Sequence, residues 1–178
     1  RAEIKVPGQH QVTNTLAAVR VAKLLGLDME QMTRGIASVV PIAGRNRIIQ
    51  EGNFTLIDDC YNANPVSMKA ALDLLSLADT RKVAILGDMF ELGENSDMLH
   101  SGVGCYAKGK TDLLICIGEN AKHIYDGAKE AGVAHIYHFT DKESFLREKE
   151  NLLQAGDTIL LKASHGMAFE TLISQLLQ

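Results

Sequence analysis

Short apolar runs and helical periodicity alternate along most of this chain. Six runs have the length and residue types of β-strands, and the later ones are separated by segments with an apolar residue every three or four positions. The predicted strands cover residues 47–50, 54–57, 82–86, 113–117, 135–139 and 158–161. The predicted helices cover residues 66–79, 97–108, 119–131, 141–153 and 167–177. This alternation favours an α/β fold, a mostly parallel sheet with helices on both faces.

Only Glu51, Gly52 and Asn53 lie between the first two predicted strands. A connection this short joins antiparallel neighbours, so these strands are expected to form a hairpin at one edge of the sheet.

The first 46 residues have a different pattern. We predict a strand end at residues 1–6, a polar loop at 8–14 and then two helices. The first helix is expected to bury a stripe of Ala17, Val21, Leu24 and Leu25 and to stop at Gly26. The second should begin after Asp28, with Gln31 completing a capping box, and end near Ser38. Proline and glycine lie close together in residues 41–46, which predicts a boundary between domains 1–46 and 47–178. The chain lacks an initiator methionine, so we expect a fragment of a longer polypeptide.

Composition narrows the range of partners. The 178 residues carry a net charge of −4 without a basic stripe, which argues against a nucleic-acid partner. The three cysteines form no Cys-x-x-Cys pair, a pattern typical of free thiols in a reducing compartment. No apolar run is as long as a membrane span. We therefore expect a cytoplasmic protein without a membrane partner. We also expect a monomer, although composition does not bear on the oligomeric state.

Polar clusters follow four of the predicted strands, at residues 58–64, 87–93, 118–120 and 162–166. In a parallel sheet these clusters emerge along one edge, where open α/β sheets bind ligands. A plain turn explains residues 118–120 better than a site does. Function is favoured for the first two clusters, because carboxylates directly after apolar strands are poor structural choices. In the first cluster, Asn64 suits a helix N-cap and Pro65 the first helical position.

Residues 104–111 match the phosphate-loop pattern G-x-x-x-x-G-K-T, but in the wrong context. A phosphate loop follows a strand and opens a helix. Here a helical stripe precedes the motif and a strand follows it. We interpret the segment as a helix C-terminus, with Lys108 and Lys110 near the negative end of the helix dipole.

The histidines do not form a metal cluster. His135 and His138 are three apart in a strand and point to opposite faces, and His123 is expected on a helix surface. His10, His100 and His165 lie in or beside polar loops and could contact a ligand, but a single histidine in such a place more often hydrogen-bonds its own loop.

Four motifs resemble the Mur ligase family of peptidoglycan synthesis. They are DDCYNANP with SMKAAL (58–65 and 67–72), AILGDMFELG with a downstream histidine (84–93 and His100), KASHGM (162–167) and GQHQVTNTLAA (8–18). The resemblance covers essentially the whole chain. It implies that residues 1–46 are the helical end of the family's central ATPase domain and that 47–178 are its C-terminal, Rossmann-like domain.

The resemblance also implies an activity. It is strongest to the branch that joins D-alanyl-D-alanine to UDP-N-acetylmuramoyl-tripeptide, using ATP and Mg²⁺ and passing through an acyl phosphate. The family's phosphate loop and most magnesium ligands belong to a segment absent from this chain, so the chain alone is expected to be inactive.

Site residues follow from the same resemblance. Asn14 matches a contact to adenine, Arg45 an arginine near the phosphates, and Asp59, or less readily Asp58, the acid that binds ribose. Weaker matches for the dipeptide side of the cleft are Asn62, Asn64, Asp88, Ser164 and His165. This chain has Gln11 where the family usually has asparagine, and His165 where it often has arginine.

Two alternatives remain open from the sequence. A folylpolyglutamate-synthase-like ligase would be expected to carry a histidine before Pro65. A non-catalytic α/β domain could bind a nucleotide or a protein partner.

Overall fold

The computed structural model describes residues 2–177, except for the side chain of His10. The strands are β1 (Arg47–Glu51), β2 (Phe54–Asp58), β3 (Lys82–Gly87), β4 (Leu113–Ile117), β5 (Ile136–Phe139) and β6 (Thr158–Lys162). The helices are α1 (Gln9–Leu24), α2 (Met29–Ala37), α3 (Pro65–Leu75), α4 (Ser96–Tyr106), α5 (Ala121–Ala131), α6 (Lys142–Leu152) and α7 (Glu170–Leu176). All six predicted strands are confirmed, with bounds that shift by one residue at most. None of the helices between residues 2 and 177 is both long and apolar enough to cross a membrane.

The sheet has the strand order β1-β2-β6-β3-β4-β5. β1 is antiparallel to β2, and all other neighbouring pairs are parallel. The predicted hairpin at the edge of a mostly parallel sheet is therefore confirmed. β6 is the last strand in the chain but lies between β2 and β3, so the loops after these three strands leave the sheet side by side.

Apolar layers cover both faces of the sheet. Successive side chains of a strand point to opposite faces. Ala84 and Leu86 of β3 accordingly pack in the layer that includes α3, α4 and α5. Val83 and Ile85 pack in the other layer, with Phe145 of α6 and residues of α7. Burial on both faces explains why these strands are continuous apolar runs in the sequence.

The turn from β2 into α3 follows the local sequence. The Asn64 side chain accepts a hydrogen bond from the Ser67 amide at 2.8 Å, and the Ser67 hydroxyl in turn bonds the Asn64 amide. Pro65 occupies the first turn, where its missing N–H costs no helical hydrogen bond. The helical stripe after it is buried, as predicted: Met68, Ala71, Leu72 and Leu75.

The N-terminal segment corrects three predictions. Residues 2–6 form no strand, since no described strand pairs with them. The predicted loop at 8–14 is instead the start of α1, because nothing after Gly8 in that segment breaks a helix. The predicted buried stripe is wrong as well, with Leu24 80% and Leu25 75% exposed. The face that packs toward α2 carries Thr15, Val19 and Ala22, which are half-buried or line an apolar cavity with Met32.

The helix boundaries beyond α1 agree better with the sequence. Gly26 has a positive φ just after α1, and the Asp28–Gln31 capping box is present. α2 ends at Ala37, next to the predicted end.

The segment that matches the phosphate-loop pattern is the end of α4, as interpreted from the sequence. α4 ends at Tyr106 and β4 begins at Leu113. Gly104 lies against α5, where a Cβ atom would be 1.9 Å from the Ile124 carbonyl oxygen. Lys110 bonds Asp73 at 2.6 Å and lies over the Tyr106 ring. Gly104 therefore allows two helices to approach closely.

Candidate functional site

The four predicted polar clusters lie at the carboxyl ends of β2, β3, β4 and β6. Two hydrogen bonds join the β3 and β6 loops directly. The Ser164 amide donates to the Asp88 carbonyl at 3.0 Å, and the Phe90 amide donates to Ser164 Oγ at 2.8 Å. The prediction that distant clusters meet along one edge of the sheet is confirmed.

A cleft of roughly 820 Å³ runs between this edge and α1. It is lined by polar side chains from α1, the 44–46 linker, the β2–α3 loop, the start of α3 and β6. Those side chains include Gln11, Asn14, Arg45, Asn46, Asp59, Tyr61, Asn62, Asn64, Ser67 and Lys162. The cleft brings together Asn14, Arg45 and Asp59, the residues predicted to contact a nucleotide.

Asp59 is held from two sides. Lys162 Nζ lies 2.5 Å from Asp59 Oδ2, and the Asn46 amide donates to Asp59 Oδ1 at 3.2 Å. Lys162 also donates to the Asn62 carbonyl at 2.9 Å. The Asp59 side chain is 12% exposed and that of Lys162 is 2% exposed, so this ion pair is shielded from water but borders the cleft.

Sequence reasoning placed Lys162 in a polar cluster but gave it no role. A lysine that ends an otherwise apolar strand is a usable signal, because lysine is almost never fully buried unless it is paired.

Arg45 is fixed by an aromatic stack. Its guanidinium carbon lies 3.9 Å from the centroid of the Tyr61 ring, a cation–π geometry. The Tyr61 ring lies 5.8 Å from that of His165. Gly44 permits this arrangement, because it has φ +76° and a Cβ there would be 3.1 Å from the Tyr61 amide nitrogen. The stack places a permanent positive charge at the cleft.

Asp58 points away from the cleft lined by Asp59. One of its oxygens accepts from the Gly44 amide at 2.8 Å, and the residue is 3% exposed. It therefore fastens the linker to the end of β2. Burial, reinforced by the charge of Asp58, raises the pKa of the neighbouring Cys60 thiol, which stays protonated and unreactive. The three cysteines are free, as the sequence predicts.

Other predicted contact residues already make structural hydrogen bonds. Asp88 Oδ1 accepts from the Ala121 amide at the start of α5 at 2.7 Å. Gly118, with φ +124°, leaves room for that carboxylate, since a Cβ there would lie 2.3 Å from Asp88 Oδ1. Ser164 Oγ accepts a hydrogen bond from the Phe90 amide, and the Asn64 side chain caps the N-terminus of α3. Asn62 and His165 are exposed at the same edge. Their substrate contacts remain predictions.

His100 hydrogen-bonds its own loop, the commoner of the two roles expected for it, and is not available to a ligand. It is fully buried, its Nε2 accepts from the Met89 amide at 2.9 Å, and its Nδ1 lies 2.8 Å from the Ser96 carbonyl. Both ring nitrogens are therefore used to fix the loop after β3. The candidate side chain of His10 lies outside the described residues.

No three His, Cys, Asp or Glu side chains form a possible metal cluster within residues 2–177.

The known proteins that match this chain align with nearly all of it. The profile of the family "Mur ligase, glutamate ligase domain" matches residues 44–165. The UDP-N-acetylmuramoyl-tripeptide–D-alanyl-D-alanine ligase of Bacillus subtilis (strain 168) is 31% identical over 98% of this chain and 39% of its own length. A crystal structure of MurF from Acinetobacter baumannii is 31% identical with a TM-score of 0.90, covering 99% of this chain and 39% of that one.

A crystal structure of MurF ligase from Thermotoga maritima in complex with ADP is 24% identical with a TM-score of 0.80. It covers 97% of this chain and 39% of that one, and at this identity the likeness shows the fold. The chain spans about two fifths of the length of the relatives it matches.

Proposed function

We propose that this chain, which belongs to the Mur ligase family, is the nucleotide-covering part of an ATP-dependent ligase that joins D-alanyl-D-alanine to UDP-N-acetylmuramoyl-tripeptide. The main support is the cleft at the carboxyl edge of the sheet, where Arg45 and Asp59 border one space. The names of the relatives support this branch over a folylpolyglutamate-synthase-like ligase.

The side chains of the cleft suit the parts of ATP. The Asp59 carboxylate accepts hydrogen bonds from ribose hydroxyls, since its oxygens have lone pairs beyond those used by Lys162 and Asn46. The Arg45 guanidinium faces the phosphates, and Asn14 contacts adenine. The Thermotoga maritima structure is a complex with ADP, which supports a nucleotide as a ligand of the full-length protein.

The proposed reaction forms an amide in two steps. The tripeptide carboxylate takes the γ-phosphoryl group of ATP to give an acyl phosphate and ADP. The amine of D-alanyl-D-alanine then attacks the acyl carbon, and phosphate leaves. This chain's contribution is to hold the nucleotide and to exclude water from the acyl phosphate by covering it. We assign most of the Mg²⁺ ligands and the phosphate loop to the rest of the full-length protein, as the resemblance to the family implies.

On the dipeptide side we propose Asn62 and His165, which are both exposed, as direct contacts. Asn64, Asp88 and Ser164 then shape that side through the hydrogen bonds they already make. A domain boundary at residue 46 remains our proposal, and the family match that begins at residue 44 supports it. We also propose a cytoplasmic monomer.

The isolated chain is expected to show no ATP-dependent ligation. The full-length protein should release phosphate from ATP only when both the tripeptide nucleotide and D-alanyl-D-alanine are present. A coupled phosphate assay on the two proteins tests this. Turnover by the isolated chain, or none by a folded full-length protein, would contradict the proposal.

Lys110→Ala is expected to leave ligation by the full-length protein near the wild-type rate. Lys110 pairs with Asp73 at the surface, and the loss of such a pair costs about 1 kcal/mol or less. Steady-state kinetics with varied ATP test this. A loss of tenfold or more would mean that residues 104–111 act as a phosphate loop after all.

A further inference from the structure

Lys162 is the most deeply buried charged side chain at the cleft, and none of the roles described above explains its position. A lysine that is 2% exposed has lost nearly all its water and must recover that cost from fixed partners. Its partners are the Asp59 carboxylate and the Asn62 carbonyl. Both belong to the loop that borders the cleft.

The register of the sheet brings Lys162 and Asp59 together. β2 and β6 are parallel neighbours in which Asp58 is opposite Leu161. Asp59 directly follows β2, and Lys162 is the last residue of β6. The Asp59 amide donates to the Leu161 carbonyl at 3.0 Å, which fixes the backbone of this pair. The ion pair therefore forms where the strands end and the cleft begins.

Lys162 and the linker hold the Asp59 side chain from opposite sides. The Asn46 backbone amide in the linker donates to Oδ1 at 3.2 Å, and Lys162 contacts Oδ2. The two contacts fix both carboxylate oxygens, which sets the plane of the carboxylate and the direction of its remaining lone pairs. A carboxylate fixed in this way can discriminate between hydroxyl-bearing and hydroxyl-lacking ligands, because a preorganised acceptor loses little freedom on binding.

We infer that Lys162 is a positioning residue for sugar recognition, which orients the Asp59 carboxylate toward the ribose hydroxyls of the nucleotide. The inference rests on the proposed function, in which Asp59 faces ATP. Lys162 itself does not contact the nucleotide. It acts through Asp59, and it fixes the start of the following loop through the Asn62 carbonyl.

The test compares ATP with 2′,3′-dideoxyATP as phosphoryl donor for the full-length protein. The ratio of their kcat/KM values reports recognition of the ribose hydroxyls. The wild-type protein should favour ATP by about tenfold or more, the usual effect of a hydrogen bond to a charged group. Asp59→Asn and Lys162→Met should each reduce the ratio to about 1–3. In the double variant the kcat/KM ratio should fall no further than in Asp59→Asn alone, because the two residues act as one unit.

A matched control is available in Lys142, whose ammonium also holds backbone carbonyls, those of Met167 and Ala168 at 3.0 Å. Lys142→Met should lower stability but keep the wild-type ratio. If Lys162→Met does not fold, Lys162→Gln, which is shorter and uncharged, is measured in its place.

Three outcomes would overturn the inference in different ways. A folded Lys162 variant with the wild-type ratio shows that the ion pair is only structural. Ligation by the wild type without preference for ATP shows that Asp59 does not recognise ribose. No ligation by the wild-type protein overturns the proposed function, and the inference with it.

Discussion

Asp59→Ala in the full-length protein should lower kcat/KM for ATP by about 10- to 100-fold, the value of a hydrogen bond to a charged group. It should also destabilise the fold by about 3–5 kcal/mol, because it leaves Lys162 buried without its carboxylate partner. Steady-state kinetics with varied ATP and urea unfolding measure the two effects separately.

Asp126→Ala is a suitable control for Asp59→Ala. Asp126 is an acid on α5 that pairs with Lys122 near the surface, and its side chain is 45% exposed. It should change neither ATP use nor stability by a measurable amount. If Asp59→Ala has the ATP Michaelis constant and turnover of the wild type, Asp59 is not part of the site.

Gly104→Ala should destabilise the chain by roughly 1–3 kcal/mol, or more if α5 cannot move. The new methyl group would lie 1.9 Å from the Ile124 carbonyl oxygen and 2.7 Å from the Ala128 amide nitrogen. Both are backbone atoms, so the clash can be relieved only by separating α4 from α5. Urea unfolding of the chain measures the loss.

For Gly102→Ala, two residues earlier in α4, we expect no loss of stability. A Cβ at Gly102 has nothing within 4 Å, and alanine favours a helix over glycine by about 0.5–1 kcal/mol. This variant should therefore be as stable as the wild type or slightly more so. Equal destabilisation by the two variants would show that contact with α5 is not the reason for Gly104.

The sheet could be predicted from the sequence because its strands are buried on both faces. Runs such as 82–86 and 113–117 contain few polar residues, and polar turn residues bound them. The start of α3 could be predicted as well, since Asn64 and Pro65 each have a known preference at a helix start. At these places the local residue preferences and the pattern of apolar residues predict the same structure.

The N-terminal helices could not be predicted as well, for a physical reason. α1 carries apolar residues on more than one side, including the exposed Val21, Leu24 and Leu25. Periodicity alone does not say which side meets α2. The polar residues 9–14 resemble a loop by composition, yet none of them breaks a helix.

The position of the site at one edge of the sheet was predictable, but the contacts that its side chains make were not. The convergence of the clusters follows from the rule for parallel sheets, and it holds here. The fixing of Asp59 by Lys162 depends on which strands are neighbours, and β2 and β6 are about 100 residues apart in the chain. The burial of His100 likewise depends on the Met89 amide, a contact that residue type does not reveal.

A crystal structure of the full-length protein with a non-hydrolysable ATP analogue tests the central claim most directly. We expect the nucleotide in the cleft between α1 and the sheet edge, with a ribose hydroxyl within about 3 Å of the Asp59 carboxylate. The guanidinium of Arg45 should face the phosphates. A nucleotide bound elsewhere, or with its ribose turned away from Asp59, would contradict the account.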